Sequence, residues 1–362
     1  MQEDIVWTTP SDSAAGNASV ESCIIAGPDW DRIISEFDGV CQEQLHRFAH
    51  ARWPSARIEP FLVARGGEAI GGALVIVQKL PLRLGAVAVT KWGPVLKDTT
   101  IVPAYAEVID AMLAEYAVRR GMMLSILPLP VAAEPTLQYV ELLRRGFRPG
   151  GQLRHPARYF VDLRLSDAEH RKNFQQKWRN RLNKSERSGL SFERAPPERK
   201  SEFDQLYRAM LARKNYVDHS AFETVEALMR HEVESLRPRL FLVSHEGRPV
   251  AGAIVFCAGD TAVYLYGATD DTALPLSAGY FMQWNIIRWL RDHAGASWYN
   301  LGGTEGEEGL TSFKKGLVGQ AGAITAFPPS ANYATRASIL LAGSAAFVAR
   351  NAVEKLRRSL RR

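Results

Sequence analysis

The stretch Phe61–Val75, FLVARGGEAIGGALV, reads as an apolar strand, a glycine turn and a second apolar strand, and the chain contains it twice. Moved along by 180 residues it meets Phe241–Val255, FLVSHEGRPVAGAIV. Phe, Leu, Val, the turn glycine, a second glycine and the alanine after it recur at the same offset, with Ile70 matched by Val250 and Leu74 by Ile254. The agreement continues past the hairpin. Trp92-Gly93 parallels Tyr266-Gly267, and Ala104-Tyr105 opens a helical stretch as Gly279-Tyr280 does, the two stretches ending at Gly121 and Gly295. A short apolar strand follows each (Met123 to Leu127; Trp298 to Leu301), and LRRGF at 143–147 sits where the second copy has FKKGL at 313–317. Order and spacing held across so many elements predict an internal duplication. The fold class is therefore α+β, two tandem domains, each a mixed β-sheet flanked by helices. The boundaries fall at 23–160 and 161–330, with a poorly ordered arm over 1–22 and a basic C-terminal helix over 331–362.

Length and composition agree with two soluble domains. The chain has 362 residues, ordinary apolar and charged fractions and a net charge of +6, a mild bias that suits an anionic partner. Cys23, Cys41 and Cys257 have neither an even count nor metal-ligand spacing, which predicts unpaired thiols in a reducing compartment. Residues 1–20 lack the basic and apolar regions of a secretory signal, and the longest apolar runs are too short or too interrupted to span a bilayer. A cytoplasmic monomer is expected, with the basic tail suited to peripheral contact at the inner face of the membrane. His46 and His50 are four apart without a third ligand, so they read as helix-surface histidines, and no metal is expected.

Chemistry concentrates in WYNLGGTEGEEGLTSFKKGLVG, residues 298–319. A strand breaks at Gly302-Gly303, an acidic loop follows, and Lys314 comes a few residues later, where it can reach back over the strand's carboxyl end. Between the copies, RKNFQQKWRNRLNKSER at 171–187 holds seven Lys or Arg against one Glu, with Phe174, Trp178 and Leu182 at a spacing of four. This predicts an amphipathic basic helix with Trp178 on its buried side. A second basic helix, over 203–216, ends in Arg213-Lys214-Asn215-Tyr216. No Ser-His-Asp or Cys-His arrangement stands out.

Several of these stretches carry a family resemblance. The helix ending in Gly146-Phe147 resembles GNAT-type N-acyltransferases, and a tandem pair of such units with a basic helix opening the second resembles the Fem family of non-ribosomal peptidyltransferases. The segments concerned are Lys91-Trp92-Gly93-Pro94-Val95, Lys177 to Ser185, Tyr264-Leu265-Tyr266-Gly267-Ala268, and Tyr299-Asn300-Leu301-Gly302-Gly303 followed by Gly309 and Phe313-Lys314. Asn300 stands where that family usually has Asp, and the long paired helices of its larger members are missing. The resemblance implies two tandem GNAT-like domains and transfer of an amino acid from aminoacyl-tRNA to an amine of a peptidoglycan precursor, nucleotide- or lipid-linked. It implies Lys314 as the catalytic donor to the developing oxyanion, and Arg213, Tyr216, Tyr266, Lys91 and Gly303 as substrate-binding. Lys177, Arg179, Arg181 and Lys184 become the tRNA-binding face. No bound cofactor is expected, because the acyl group arrives activated.

Two other readings stand beside it. An acyl-CoA-dependent N-acyltransferase acting on a cell-envelope or exopolysaccharide precursor would keep the fold and change the donor. Neither Ala273–Tyr280 nor Thr99–Ala104 has the glycine pattern that cradles the CoA pyrophosphate at a helix N-terminus. A catalytically dead duplicate serving as a tRNA- or membrane-binding module is the third.

Overall fold

In the computed structural model the described residues are 19–132, 137–214 and 220–359. The chain forms two units. The first comprises Met1–Gly39, Glu43–Arg154 and Phe327–Arg362, the second Val40–Gln42 and His155–Ala326.

In the first unit the elements run β1 (Val20–Ile24), α1 (Gly27–Ile34), α2 (His46–Arg52), β2 (Arg57–Arg65), β3 (Glu68–Lys79), β4 (Ala86–Lys91), β5 (Val95–Leu96), α3 (Val102–Met112), β6 (Met123–Leu127), α4 (Leu137–Arg144) and β7 (Arg148–Pro149). The second unit has β8 (Ala157–Asp162), α5 (Asp167–Asn173), α6 (Gln176–Ser185), β9 (Leu190–Ala195), α7 (Lys200–Lys214), α8 (Val225–Met229), β10 (Arg239–His245), β11 (Arg248–Phe256), β12 (Thr261–Thr269), α9 (Ala273–Leu276), α10 (Ala278–His293), β13 (Trp298–Asn300), α11 (Glu308–Val318) and β14 (Ala323–Ala326). The chain then returns to the first with β15 (Ala331–Tyr333) and α12 (Ala337–Ser359).

The sheet orders are β1-β2-β3-β4-β6-β15-β7, with β5 beside β3, and β14-β8-β13-β12-β11-β10-β9. Read from opposite ends they are one arrangement. The duplication holds down to register: Phe61, Leu62 and Val63 face Ala73, Gly72 and Gly71. Phe241, Leu242 and Val243 face Ala253, Gly252 and Ala251. Both ladders shift register at the next residue, after Val63 and after Val243. The recurring glycine has a shared cause. A Cβ on Gly72 would lie 2.9 Å from the Trp30 ring, and one on Gly252 would lie 2.9 Å from the Phe203 ring. Each copy sets an aromatic ring close against the middle of its hairpin, where a side chain would crowd both the ring and the neighbouring strand.

Both hairpins lie one strand in from an edge of their sheets and are buried along most of their length, which is why their strands are continuous apolar runs rather than alternating ones. In the first unit Phe61, Val63, Tyr105, Val108, Met112 and Tyr116 form the core between sheet and helices. The second unit's core joins Phe241 and Val243 to Trp284, Ile287 and Leu290 of α10 and to Phe174, Trp178 and Leu182 of the basic segment. Trp178 is thus buried, as its spacing predicts.

The sequence boundaries move. The cuts fall after Arg154 and after Ala326 rather than after 160 and 330, because β8 pairs with β13 and β14 in the second sheet. β15, in turn, pairs with β6 and β7 in the first. The predicted arm over 1–22 loses its last residues to β1, which pairs with β2 from Val20↔Arg65 to Ile24↔Phe61; residues 1–18 lie outside the described residues. The tail is no separate appendage either: Ile339 of α12 is buried against Leu80, Val87 and Met123 of the first unit.

Candidate active site

In the second sheet β12 and β13 run parallel and pair at three positions, Thr261↔Trp298, Ala262↔Tyr299 and Val263↔Asn300. Beyond Val263, β12 continues to Thr269 in company with β11, while β13 stays with β8. Leu301 N still donates to Tyr159 O (2.8 Å) on that side. The two parallel strands therefore part at their carboxyl ends, where open α/β sheets place ligands.

The chain leaves β13 through Gly302, whose φ of 74° is left-handed, and Asn300 Oδ1 accepts from Gly302 N at 2.8 Å to hold that turn. Lys314, three-fifths of the way along α11, reaches back into it. Its Nζ donates to Leu301 O (2.6 Å) and Gly303 O (2.5 Å), and the residue is 5% exposed. Helix α11 is pinned from behind: Phe313 meets the rings of Trp178 (6.1 Å) and Tyr280 (4.8 Å), and Gly316 packs on the Trp178 indole. The basic helix α6 thus positions the lysine through its one buried aromatic.

Burial pulls the Lys314 ammonium down to a pKa of about 7; the Arg158 guanidinium pushes the same way and the Glu305 carboxylate opposes both. Arg158, on β8, is itself held below its usual value by burial and donates to His155 O (3.1 Å) and Ala157 O (2.9 Å). A Cβ on Gly303 would lie 2.8 Å from Arg158 Nη1, so this glycine is what lets the guanidinium approach the loop. The result is a desolvated cationic centre at the mouth of a parted strand pair. It can donate hydrogen bonds to an anionic group or to an oxyanion developing on an acyl carbon.

Of the residues predicted for the site, Lys314 and Gly303 come together here. Tyr266 packs in a ring cluster with Tyr207 (6.0 Å) and Phe222 (5.1 Å) beside α7. Arg213, at the end of α7, pairs with Asp271 (2.8 Å) just beyond the carboxyl end of β12. Tyr216 lies outside the described residues. Lys91 belongs to the first unit, where its Nζ pairs with Glu43 (3.0 Å) and sits over the rings of Trp53 and Trp92. On α6, Lys177, Arg181 and Lys184 are exposed, whereas Arg179 donates to Arg171 O (3.2 Å) and Lys172 O (3.0 Å) in the last turn of α5. Arg179 thus also caps the carboxyl end of α5. Sequence reading missed Arg158 and Glu305. The only signal for Arg158 was its place in a strand following the first copy, and its partner loop lies some 145 residues away. Among the described residues no group of three His, Cys, Asp or Glu is placed to hold a metal ion, and no helix is long and apolar enough to cross a membrane.

Comparison with known proteins agrees with the geometry. Residues 170–315 match a family described as an acetyltransferase (GNAT) domain, which places that domain in the second unit. A lipid II:glycine glycyltransferase of Staphylococcus aureus is 34% identical over 77 residues, 19% of this chain and 18% of that protein. The match thus spans under a fifth of that relative. Among solved structures, FemX superposes with a TM-score of 0.70 at 17% identity over 86% of this chain and 97% of its own. The C-terminal domain of a putative lysylphosphatidylglycerol synthetase from Agrobacterium fabrum does so with 0.53 at 16%, over 89% and 96%. The fold is that of the FemX structure, and the strand order of the unit that matches the GNAT model recurs in the other.

Proposed function

We propose that the chain is an acyltransferase that moves an amino acid from aminoacyl-tRNA to an amine of a peptidoglycan precursor. The observation that carries this reading is Lys314, a buried amine held on two loop carbonyls where β12 and β13 part. An ammonium has three donors. Two are engaged by Leu301 O and Gly303 O, and the third serves the tetrahedral oxyanion formed when the acceptor amine attacks the ester. Its collapse breaks the acyl C–O bond, and the proton lost by the amine ends on the released ribose hydroxyl of the tRNA. Such a donor contributes about 3–4 kcal/mol to the barrier, and holding both substrates together contributes several more. No covalent enzyme intermediate is needed. The similarity to a lipid II:glycine glycyltransferase supports a peptidoglycan precursor as acceptor. Exposed Lys177, Arg181 and Lys184 suit tRNA phosphates, and Arg213 suits an acceptor phosphate once released from Asp271.

One observation favours a second reading, acyl-CoA as donor. Ser277 is buried at the N-terminus of the sixteen-residue helix α10, and its Oγ has no hydrogen-bond partner among the described residues. An anion there would be met by the helix's free amides.

The deciding experiment gives purified protein either charged tRNA or a panel of acyl-CoA thioesters, each with nucleotide-linked and lipid-linked precursor. Transfer from tRNA alone is the expected result. Transfer from CoA alone moves the donor to the second reading, and no transfer from either removes the enzymatic one.

A further inference from the structure

Helix α12 is apolar on two faces. One face is spent on the fold: Ile339, Leu340, Ala346 and Phe347 pack on Leu80, Val87, Val89 and Met123. The other carries Leu341, Ala345, Val348, Ala349, Ala352 and Val353, every one exposed. Leu341 is 71% exposed and Val348 69%. A helix lying on a domain ordinarily shows water its charged face. Here the outward stripe has no charge over three turns.

A second exposed apolar element lies next to it. The β3–β4 turn, Pro81–Gly85, holds Leu82 and Arg83 in left-handed conformations, with φ of 55° and 58°, and leaves Leu82 89% and Leu84 50% exposed. Ile339 Cδ1 comes within 2.9 Å of where a Cβ on Gly85 would stand, so the turn abuts the first turn of α12. Two adjacent non-glycine residues in that region cost free energy without burying anything.

The charge around these leucines has one sign. Lys79 precedes the turn and Arg83 lies within it, while Arg350 stacks over Phe347 on the helix side turned toward the fold. From residue 337 to 362 the sequence has six Lys or Arg (Arg350, Lys355, Arg357, Arg358, Arg361 and Arg362) against one acid, Glu354. A second copy of this face would bring the same positive fringe and repel it, and a nucleic acid would leave the apolar stripe uncovered. An anionic bilayer satisfies both, taking the leucines and valines between its acyl chains and the cations at its headgroups.

We propose that the outward face of α12 and the Leu82–Leu84 turn form a docking surface for an anionic phospholipid membrane, with the helix lying in the plane of the interface. The inference stands on this surface alone and holds whichever acyl donor is used.

The test is co-sedimentation of the full chain with vesicles of phosphatidylcholine, with and without roughly 30% phosphatidylglycerol, at low salt and at about 0.5 M. Binding should favour the anionic vesicles by about tenfold and weaken by a similar factor at high salt. L341E/V348E should lower it about tenfold, and Leu82→Ser about threefold. Melting temperatures of these exposed-site variants, and acyl transfer to a soluble acceptor, should stay at parental values and certify the fold. Equal binding to both vesicle types, or parental binding by L341E/V348E, would overturn the proposal. So would a parental dimer that L341E/V348E dissociates without any vesicle binding, which would make the stripe a seam between copies.

Discussion

In the first sheet the parallel pair β4 and β6 stays joined over five positions, from Val87↔Met123 to Lys91↔Leu127. Trp92 N (2.7 Å) and Gly93 N (3.3 Å) still donate to Leu127 O beyond the last of them. In the second sheet the equivalent pair, β12 and β13, is joined over three and then parts. The residues that follow diverge accordingly. Sequence alignment sets Arg144 opposite Lys314, yet the Arg144 side chain is 71% exposed and pairs with Glu141, while Lys314 is buried on two carbonyls. Duplication copied the scaffold. Among the described residues, the half whose strands separate holds its lysine desolvated at the strand ends, while the matching residue of the other copy lies at the surface.

That contrast can be broken at several points. The largest effect belongs to Lys314→Met, which should leave a folded protein with turnover reduced about 10²–10³-fold in an acyl-transfer assay. Near-parental turnover would remove the distinction between the halves. Gly303→Ala should lower turnover about tenfold, because the added methyl group displaces the Arg158 guanidinium and with it the field at Lys314. An unchanged rate would make that glycine a simple turn residue.

A smaller effect concerns pH. The folded state holds the Lys314 pKa near 7, below its ordinary value, so the penalty for a buried ammonium is complete below 7 and fades as pH climbs toward the unfolded-state value. The unfolded chain binds the extra proton in that window, and stability rises with pH. Denaturant melts of parent and Lys314→Met from pH 7 to 10 should therefore show the parent gaining, by about 1 kcal/mol per pH unit. A pH-independent difference would mean the amine titrates as it does in water. The smallest effect is expected for Arg144→Met: turnover within about twofold and stability within about 0.5 kcal/mol of the parent.

Much of this could be read from the chain because the informative elements are long or repeated. The hairpins share register because their residues recur at one offset, and Trp178 was legible from a spacing of four. Lys314 was legible because a glycine break directly follows its strand. What escaped reading is what local pattern does not encode. β7 and β15 have two and three residues, too few for any periodicity, and their pairing joins segments far apart in sequence. The parting of β12 from β13 is a matter of backbone ladders, which side-chain types do not announce. Arg158 acquires its role only when β8 closes on the Gly303 loop, and Arg179 only when α5 ends where α6 can cap it.

The placement of β15 between β6 and β7 has a consequence for how the protein is made. When residue 149 has left the ribosome, the first sheet already has its core hairpin and both neighbours of the gap, but the strand that fills the gap begins at residue 331. For the time it takes to translate the whole second unit, β6 presents unpaired backbone donors and acceptors to its surroundings. Such an open edge is the usual template for association between nascent chains. The first unit thus finishes last, and a chain released early, after the second unit but before residue 333, would carry the buried Lys314 and its loop on a molecule with an open sheet.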